Sequence, residues 1–221
     1  MVAPEQVDQA VVAGQAVYTP RTLDLYDLVV LGLSNALIWK CPTGRLLEQY
    51  NRHVAARHLD VGVGTGWFLD HCRFPNRQPQ ITLLDLNQAC LARAAARISR
   101  YQPKVVQANV LEPIGAAMDP FASIGLNYVL HCLPGPLVQK AVVFDHLKPF
   151  LAPGGVVFGS TLLSEGVERS RSAQVLMRFY NKRGIFSNQS DGLEDLRREL
   201  AVRFDDVRVR VIGCAALFVA R

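Results

Sequence analysis

The sequence predicts an α/β fold: one doubly wound sheet, mostly parallel, closed by a C-terminal antiparallel hairpin and preceded by an N-terminal helical cap. Three observations predict it. From His58 onward, short apolar runs alternate with segments of helical period, the pattern of a parallel sheet covered on both faces. Three helical segments come before any strand. The last two strand-like runs, Arg203 to Ile212 and Ala215 to Val219, are separated only by Gly213 and Cys214. So short a connection forces an antiparallel pair, because a parallel return needs a crossover of about a dozen residues.

In order, the cap covers residues 1–57. Its helices are expected over Pro4 to Val17, over Arg21 to Leu37, and after Pro42, where Pro42 and Thr43 are start signals. The core covers residues 58–221. It opens with strand His58–Val61, the glycine-rich Gly62–Gly66 and a short helix from Trp67 to His71. Strand Gln80–Asp85 follows, and Asn87 is placed as N-cap of a helix to Arg100. Further strands are expected over Lys104–Ala108, Ala122–Tyr128 and Val156–Leu162, with a helix over Leu137–Leu147 and a turn at Pro153-Gly154-Gly155. Residues 163–190 form an irregular stretch with one helix around Ala173 to Asn181. The next helix has Asp191 as cap and Glu194 three residues on, the spacing of a capping box.

Composition excludes several classes. Of 221 residues half are hydrophobic and 19% are charged, too apolar and too lightly charged for a disordered chain. Leu23 to Trp39 is apolar but interrupted by Asp24, Asp27 and Asn35, so it reads as a core helix and not a membrane span. The N-terminus has no basic cluster followed by an apolar run, so no secretory signal is expected. The five cysteines are scattered without a C-x-x-C pair, which suits a reducing, cytoplasmic compartment and neither a disulfide framework nor a metal site. The net charge of +5 is dispersed among acids, a distribution unlike a nucleic-acid groove. Oligomeric state is left open, a homodimer included.

Gly62-Val63-Gly64-Thr65-Gly66 stands where a strand hands over to a helix, and Asp85 ends the next strand. Glycines there allow backbone angles closed to other residues and let a ligand approach the main chain. An acid about 20 residues on is placed to accept hydrogen bonds from a ribose. Dinucleotide loops read G-x-G-x-x-G, but here the third glycine comes one residue earlier. Asp60 also puts a carboxylate beside the loop, which suits a cationic ligand better than a pyrophosphate. S-adenosylmethionine, with its ammonium, sulfonium and ribose diol, has these properties.

These residues resemble a known family. Leu59-Asp60-Val61-Gly62-Val63-Gly64-Thr65-Gly66 resembles the first motif of class I S-adenosylmethionine-dependent methyltransferases, which have a Rossmann-like core, and Leu83-Leu84-Asp85-Leu86-Asn87 resembles their ribose motif. Gln107-Ala108-Asn109-Val110, Asn127-Tyr128-Val129-Leu130-His131 and Leu151-Ala152-Pro153-Gly154-Gly155 follow in the family's order. The nearest flavour is the small-molecule group of quinone-biosynthesis and natural-product enzymes. The resemblance implies that Gly62, Val63, Gly64 and Gly66 wrap the methionine and ribose portions. Asp60 then faces the ammonium, Asp85 the ribose hydroxyls, Asn109 and Val110 the adenine, and Leu86 packs on its ring. Asn127 and Tyr128 border the donor after the fourth strand, and Tyr18 supplies an N-terminal contact. Asn109 departs from the more usual Asp of the adenine turn.

Methyl transfer from a sulfonium is an in-line displacement, so the protein must align its reactants and exclude water. Where the acceptor must lose a proton, His131 beyond the fourth strand is the candidate base. His53, His58, His71 and His146 read as surface or packing residues. Cys132, adjacent to His131, points the other way along the chain and is not read as a nucleophile. The cap, with Tyr18 and Trp39, and residues 163–190, with Met177, Phe179, Tyr180 and Phe186, are expected to wall an apolar or aromatic small acceptor. Two alternatives stand beside this reading: a nucleic-acid methyltransferase, disfavoured because Asn127-Tyr128-Val129-Leu130 lacks the prolines of the base-gripping motif, and a methyltransferase-fold binding protein without turnover.

Overall fold

The computed structural model describes residues 34–221. The first two helices expected from sequence, and Tyr18, lie outside these residues except at 34–38, which form a π-helical turn closed by a Trp39 N–H to Ser34 C=O bond of 2.9 Å. Helix α1 (Thr43–His53) then leads into strand β1 (Arg57–Val61), helix α2 (Trp67–His71), β2 (Gln80–Asp85) and α3 (Gln88–Arg97). β3 (Lys104–Gln107), β4 (Phe121–Asn127), α4 (Leu137–Lys140), α5 (Val142–Leu147) and β5 (Leu151–Leu162) complete the parallel part. After it come α6 (Arg171–Lys182), α7 (Leu193–Ala201), β6 (Val207–Ile212) and β7 (Ala215–Ala220).

Among the described residues seven strands form one sheet in the order β3-β2-β1-β4-β5-β7-β6. β1 to β5 run parallel, while β7 runs antiparallel to both β5 and β6. Chain order reverses between β1 and β4. At such a switch point the connections leave in opposite directions and open a crevice beyond the carboxyl ends of the strands.

Alternation along the strands sends Leu59, Val61, Ile124 and Leu126 to one face and Ile81, Leu83 and Phe158 to the other. The first face packs on α4, α5 and α7 through Leu137, Phe144, Leu196 and Leu200. The second packs on α1, α2 and α3 through Tyr50, Leu69, Leu91 and Ala94. A third cluster at the carboxyl end of β5 joins Trp39 and Leu46 to Ala173 and Met177 of α6. Gln49 pins α1 to the sheet by donating from Nε2 to Gly159 C=O (2.9 Å) and Phe218 C=O (2.8 Å).

Several boundaries differ from the sequence expectation for visible reasons. The helix expected over Leu137–Leu147 breaks at Ala141, where Phe144 N–H bonds three residues back and two β-branched valines follow. Pro153-Gly154-Gly155 does not end the strand. It bulges within β5, so that Leu151 pairs with Phe121 while Val156 pairs with Ser123. β6 starts at Val207, because Phe204 N–H bonds Leu200 C=O at the end of α7 and the Arg203 guanidinium pairs with Asp145 and Glu199. Asp191 is not the cap of α7; Gly192 is. The Asp191 carboxylate turns inward to the Lys140 ammonium at 2.8 Å, and both side chains are fully buried. A charge-assisted bond to a buried ammonium outweighs an N-cap bond at a solvated helix end.

Candidate active site

The crevice at the switch point is a cleft open to solvent. Gly62 and Gly64 form one wall, Asp85, Leu86 and Asn87 a second, Ala108, Asn109 and Val110 a third, and Asn127, Tyr128, Val129 and Cys132 a fourth.

The three glycines all have left-handed backbones, with φ of +68° at Gly62, +52° at Gly64 and +73° at Gly66. Their surroundings differ. A Cβ on Gly62 would stand 2.4 Å from Val129 Cγ2, and one on Gly66 2.9 Å from Ala94 Cα, where the loop lies against α3. A Cβ on Gly64 would meet nothing within 4 Å; it would enter the cleft. Gly64→Ala is therefore expected to cost only the left-handed strain, about 1–2 kcal/mol. Gly62→Ala adds a clash and should cost more. Urea unfolding of the two variants side by side checks the order.

Asp85 ends β2 with its carboxylate turned back over the loop. Its Oδ1 accepts from Asn87 N–H at 2.8 Å, and the N–H groups of Val63, Gly64 and Leu86 also point to the carboxylate. Burial nevertheless pushes it up to about 6, so desolvation outweighs these donors. Asn87 caps α3 as expected, its Oδ1 accepting from Ala89 N–H (2.9 Å) and Cys90 N–H (3.4 Å). Asn109 uses its side chain on its own turn: Oδ1 accepts from Leu111 N–H (3.1 Å) and Nδ2 donates to Glu112 (2.8 Å). Tyr128 takes φ +58°, uncommon for a non-glycine residue, and its N–H donates to Ser160 C=O. The preceding Asn127 accepts the Ser160 hydroxyl at 2.9 Å.

Asp60 is buried beneath the glycine loop, off the cleft wall. Its Oδ1 accepts the Tyr50 hydroxyl at 2.7 Å and lies 3.4 Å from His58 Nε2, while His58 Nδ1 meets Ser123 Oγ at 2.8 Å. Asn127 faces the same tyrosine hydroxyl. This buried chain links α1, β1 and β4 below the site.

His131 is also buried. Its Nδ1 accepts from Leu162 N–H at 3.3 Å and lies 3.4 Å from Thr161 Oγ1, and its ring packs edge-on against Phe186 at 4.5 Å and near Tyr128 at 5.4 Å. Burial first, then the charge of Lys140, push it down to about 3. Burial thus favours the neutral ring, and the Leu162 N–H engages its Nδ1. The ring thus lies behind the cleft wall, turned to the end of β5.

Of the expected site residues, Gly62, Gly64, Asp85, Leu86, Asn109, Val110, Asn127 and Tyr128 share the cleft wall. Val63 and Gly66 flank it in the loop, Asp60 and His131 lie behind it, and Tyr18 is outside the described residues. Cys90 and Cys132 line the cleft and were not foreseen as wall residues. Tyr50, the partner of Asp60, gave no motif signal, because a tyrosine on an amphipathic helix face looks like packing.

Three comparisons bear on this site. Residues 41–200 match the family model described as a methyltransferase domain. The chain is 42% identical over 212 residues to the demethylluteothin O-methyltransferase of Streptomyces thioluteus, covering 96% of this chain and 92% of the relative. It is 38% identical to the physcion biosynthesis cluster O-methyltransferase of Aspergillus chevalieri, covering 94% of each. Among solved structures, the DhpI–S-adenosylhomocysteine complex superposes with a TM-score of 0.70 at 13% identity, over 100% of this chain and 98% of that one, a likeness of fold. With the glycine loop, the strand-end acid and the cleft between them in place, the chain belongs to the methyltransferase-domain family.

Proposed function

We propose that the protein transfers a methyl group from S-adenosylmethionine to the hydroxyl of a small, apolar or aromatic acceptor. One observation carries the reading: a carboxylate, Asp85, held by backbone N–H groups across from a loop whose central glycine opens onto the cleft. The O-methyltransferase relatives and their natural-product names support the acceptor class. Calorimetric titration with S-adenosylhomocysteine tests it; no heat across the millimolar range would sink it.

The residues present fit the donor. Asp85 accepts from the ribose diol, Leu86 and Val110 enclose the adenine with the Asn109 turn at its edge, and the Gly62–Gly66 loop follows the ribose and methionine portions. Asp60 supplies negative charge below the loop toward the ammonium end. When bound, the donor supplies an electrophilic methyl on a sulfonium. The protein's share is alignment and exclusion of water, worth about 7–11 kcal/mol when reacting atoms are well placed. Residues 1–57 and 163–190 are proposed as the acceptor walls. The acceptor is a small molecule and not a nucleic acid. None of the five cysteines, all among the described residues, forms a disulfide, and four of them are buried, which supports a reducing, cytoplasmic setting. No helix among the described residues is long and apolar enough to cross a membrane.

Among the described residues of the cleft none is placed as a base, so the acceptor is expected to ionise without their help. Asp85 is committed to the loop and burial pushes the Cys90 thiol up to about 12, while His131 is neutral with its lone pair in use. A phenolic or enolic hydroxyl meets this requirement. In this reading His131 is a positioning residue that holds Tyr128, Phe186 and the end of β5 in place. His131→Asn, which keeps an acceptor for Leu162 N–H, should change kcat less than tenfold. The rise of kcat/KM with pH should track the acceptor's own ionisation in both proteins. Loss of about 100-fold or more, together with loss of the alkaline limb, would restore the base role.

A further inference from the structure

A second pocket lies on the 163–190 side, between residue 164, the face of α6 and Gln189, with about 1050 Å³ of space open to solvent. Its walls carry Arg169, Arg178 and Lys182 with Ser164, Gln174 and Asn181, and no aspartate or glutamate. Gln174, Arg178 and Lys182 are spaced four apart on α6, so they form one stripe. Like charges at that spacing weaken a helix, and neither Arg178 nor Lys182 has an ion-pair partner among the described residues.

Arg169 and Ser164 make an independent observation. Arg169 is half-buried, and its Nη1 rests 3.7 Å from the sulfur of Met177. The buried Ser164 hydroxyl donates to that same sulfur at 3.0 Å. A thioether is a weak acceptor, so two strong donors converge on a poor partner at the floor of a cationic pocket. Asn181 is already satisfied by Met177 C=O and Asn188, and the Gln174 amide by Arg169 C=O. The donors left without a matching acceptor are the guanidinium groups, the lysine and the serine hydroxyl. Glu165 and Glu168, nearby in the chain, do not line the pocket.

We propose that this pocket binds an anionic group, a carboxylate or a phosphate, carried by the acceptor. The inference rests on the methyl-transfer reading for the identity of the molecule, and on this pocket alone for its charge. Met177 belongs to the same apolar cluster as Tyr128 and Cys132 of the cleft. A planar carboxylate or a phosphate matches the fork geometry of Arg169, with Arg178 and Lys182 adding charge.

The test uses the full chain, with inorganic phosphate and benzoate as probes at constant pH and ionic strength, chloride replacing them in the control. At least one probe is expected to raise the melting temperature along a saturable curve. The double variant Arg178→Glu/Lys182→Glu, altered only at exposed positions, is expected to weaken that binding tenfold or more. A probe response confined to phosphate or to benzoate identifies which anion the pocket reads. No saturable response in the unaltered protein, or an equal response in the double variant, overturns the proposal. S-adenosylhomocysteine affinity, measured on the same samples, should be equal in both proteins. Absence of that binding would instead overturn the methyl-transfer reading, so the two failures are distinguishable.

Discussion

Replacing Asp85 by alanine is expected to lower the affinity for S-adenosylhomocysteine by about 100-fold, measured by calorimetry at pH 7.5. The estimate follows from losing two hydrogen bonds to a charged acceptor, about 1.5 kcal/mol each at the low end. The loop should suffer as well, since the carboxylate gathers the N–H groups of Val63, Gly64 and Leu86 as well as that of Asn87. The same group sets a pH dependence. Its folded-state value, about 6, is raised above the 3.8 of a free carboxyl. The proton therefore binds more tightly in the folded protein, and ionising the group costs the ligand-free fold about 3 kcal/mol as pH rises from 3.8 to 6. Ribose hydroxyls favour the charged form, so affinity should be flat above about pH 7 and fall up to tenfold per unit below 6. Protons should be released on binding near pH 6. Titrations in two buffers of different ionisation enthalpy would detect that release; identical heats would contradict it.

Lys140→Met should lower the melting temperature by about 10 °C. Removing one partner of a buried pair leaves an uncompensated charge and costs about 3–5 kcal/mol, and a chain of this size loses about 2–4 °C per kcal/mol. Lys140 Nζ also donates to Ser187 C=O at 2.6 Å, and Ser187 N–H donates to His131 C=O at 2.8 Å. One ammonium thus ties α4 to the end of the 163–190 segment. Burial pushes Asp191 up to about 6 even with Lys140 beside it. Adding Asp191→Leu to Lys140→Met should recover most of the loss, because two apolar side chains replace the pair without a stranded carboxylate. A double variant as unstable as the single one would show that the Ser187 bond matters more than the charges.

The strands and the loop were legible because local chemistry decides them. Trp67–His71 and Gln80–Asp85 match the sequence boundaries, and Asn87 caps α3, since apolar runs, glycines and a capping amide signal their own positions. The cleft wall followed from the same motifs. What stayed hidden depends on partners distant in sequence. Asp191 carries every mark of a helix cap, and only the fold shows Lys140 arriving beside it from 51 residues away. His131 stands where a base belongs, yet Leu162 and Phe186 bury it from segments whose approach no local pattern reveals. The Tyr50–Asp60–His58–Ser123 chain likewise exists only once α1, β1 and β4 are assembled.

The strand order has a consequence for biosynthesis. β7 follows every other strand of the sheet in chain order, yet it sits inside the sheet, between β5 and β6. While the polypeptide is nascent, the parallel half can form, but the flank of β5 stays bare and β6 has nothing to pair with. Completion waits until Ala215–Ala220 have emerged. A stop before Ala215 would therefore yield a sticky, aggregation-prone product.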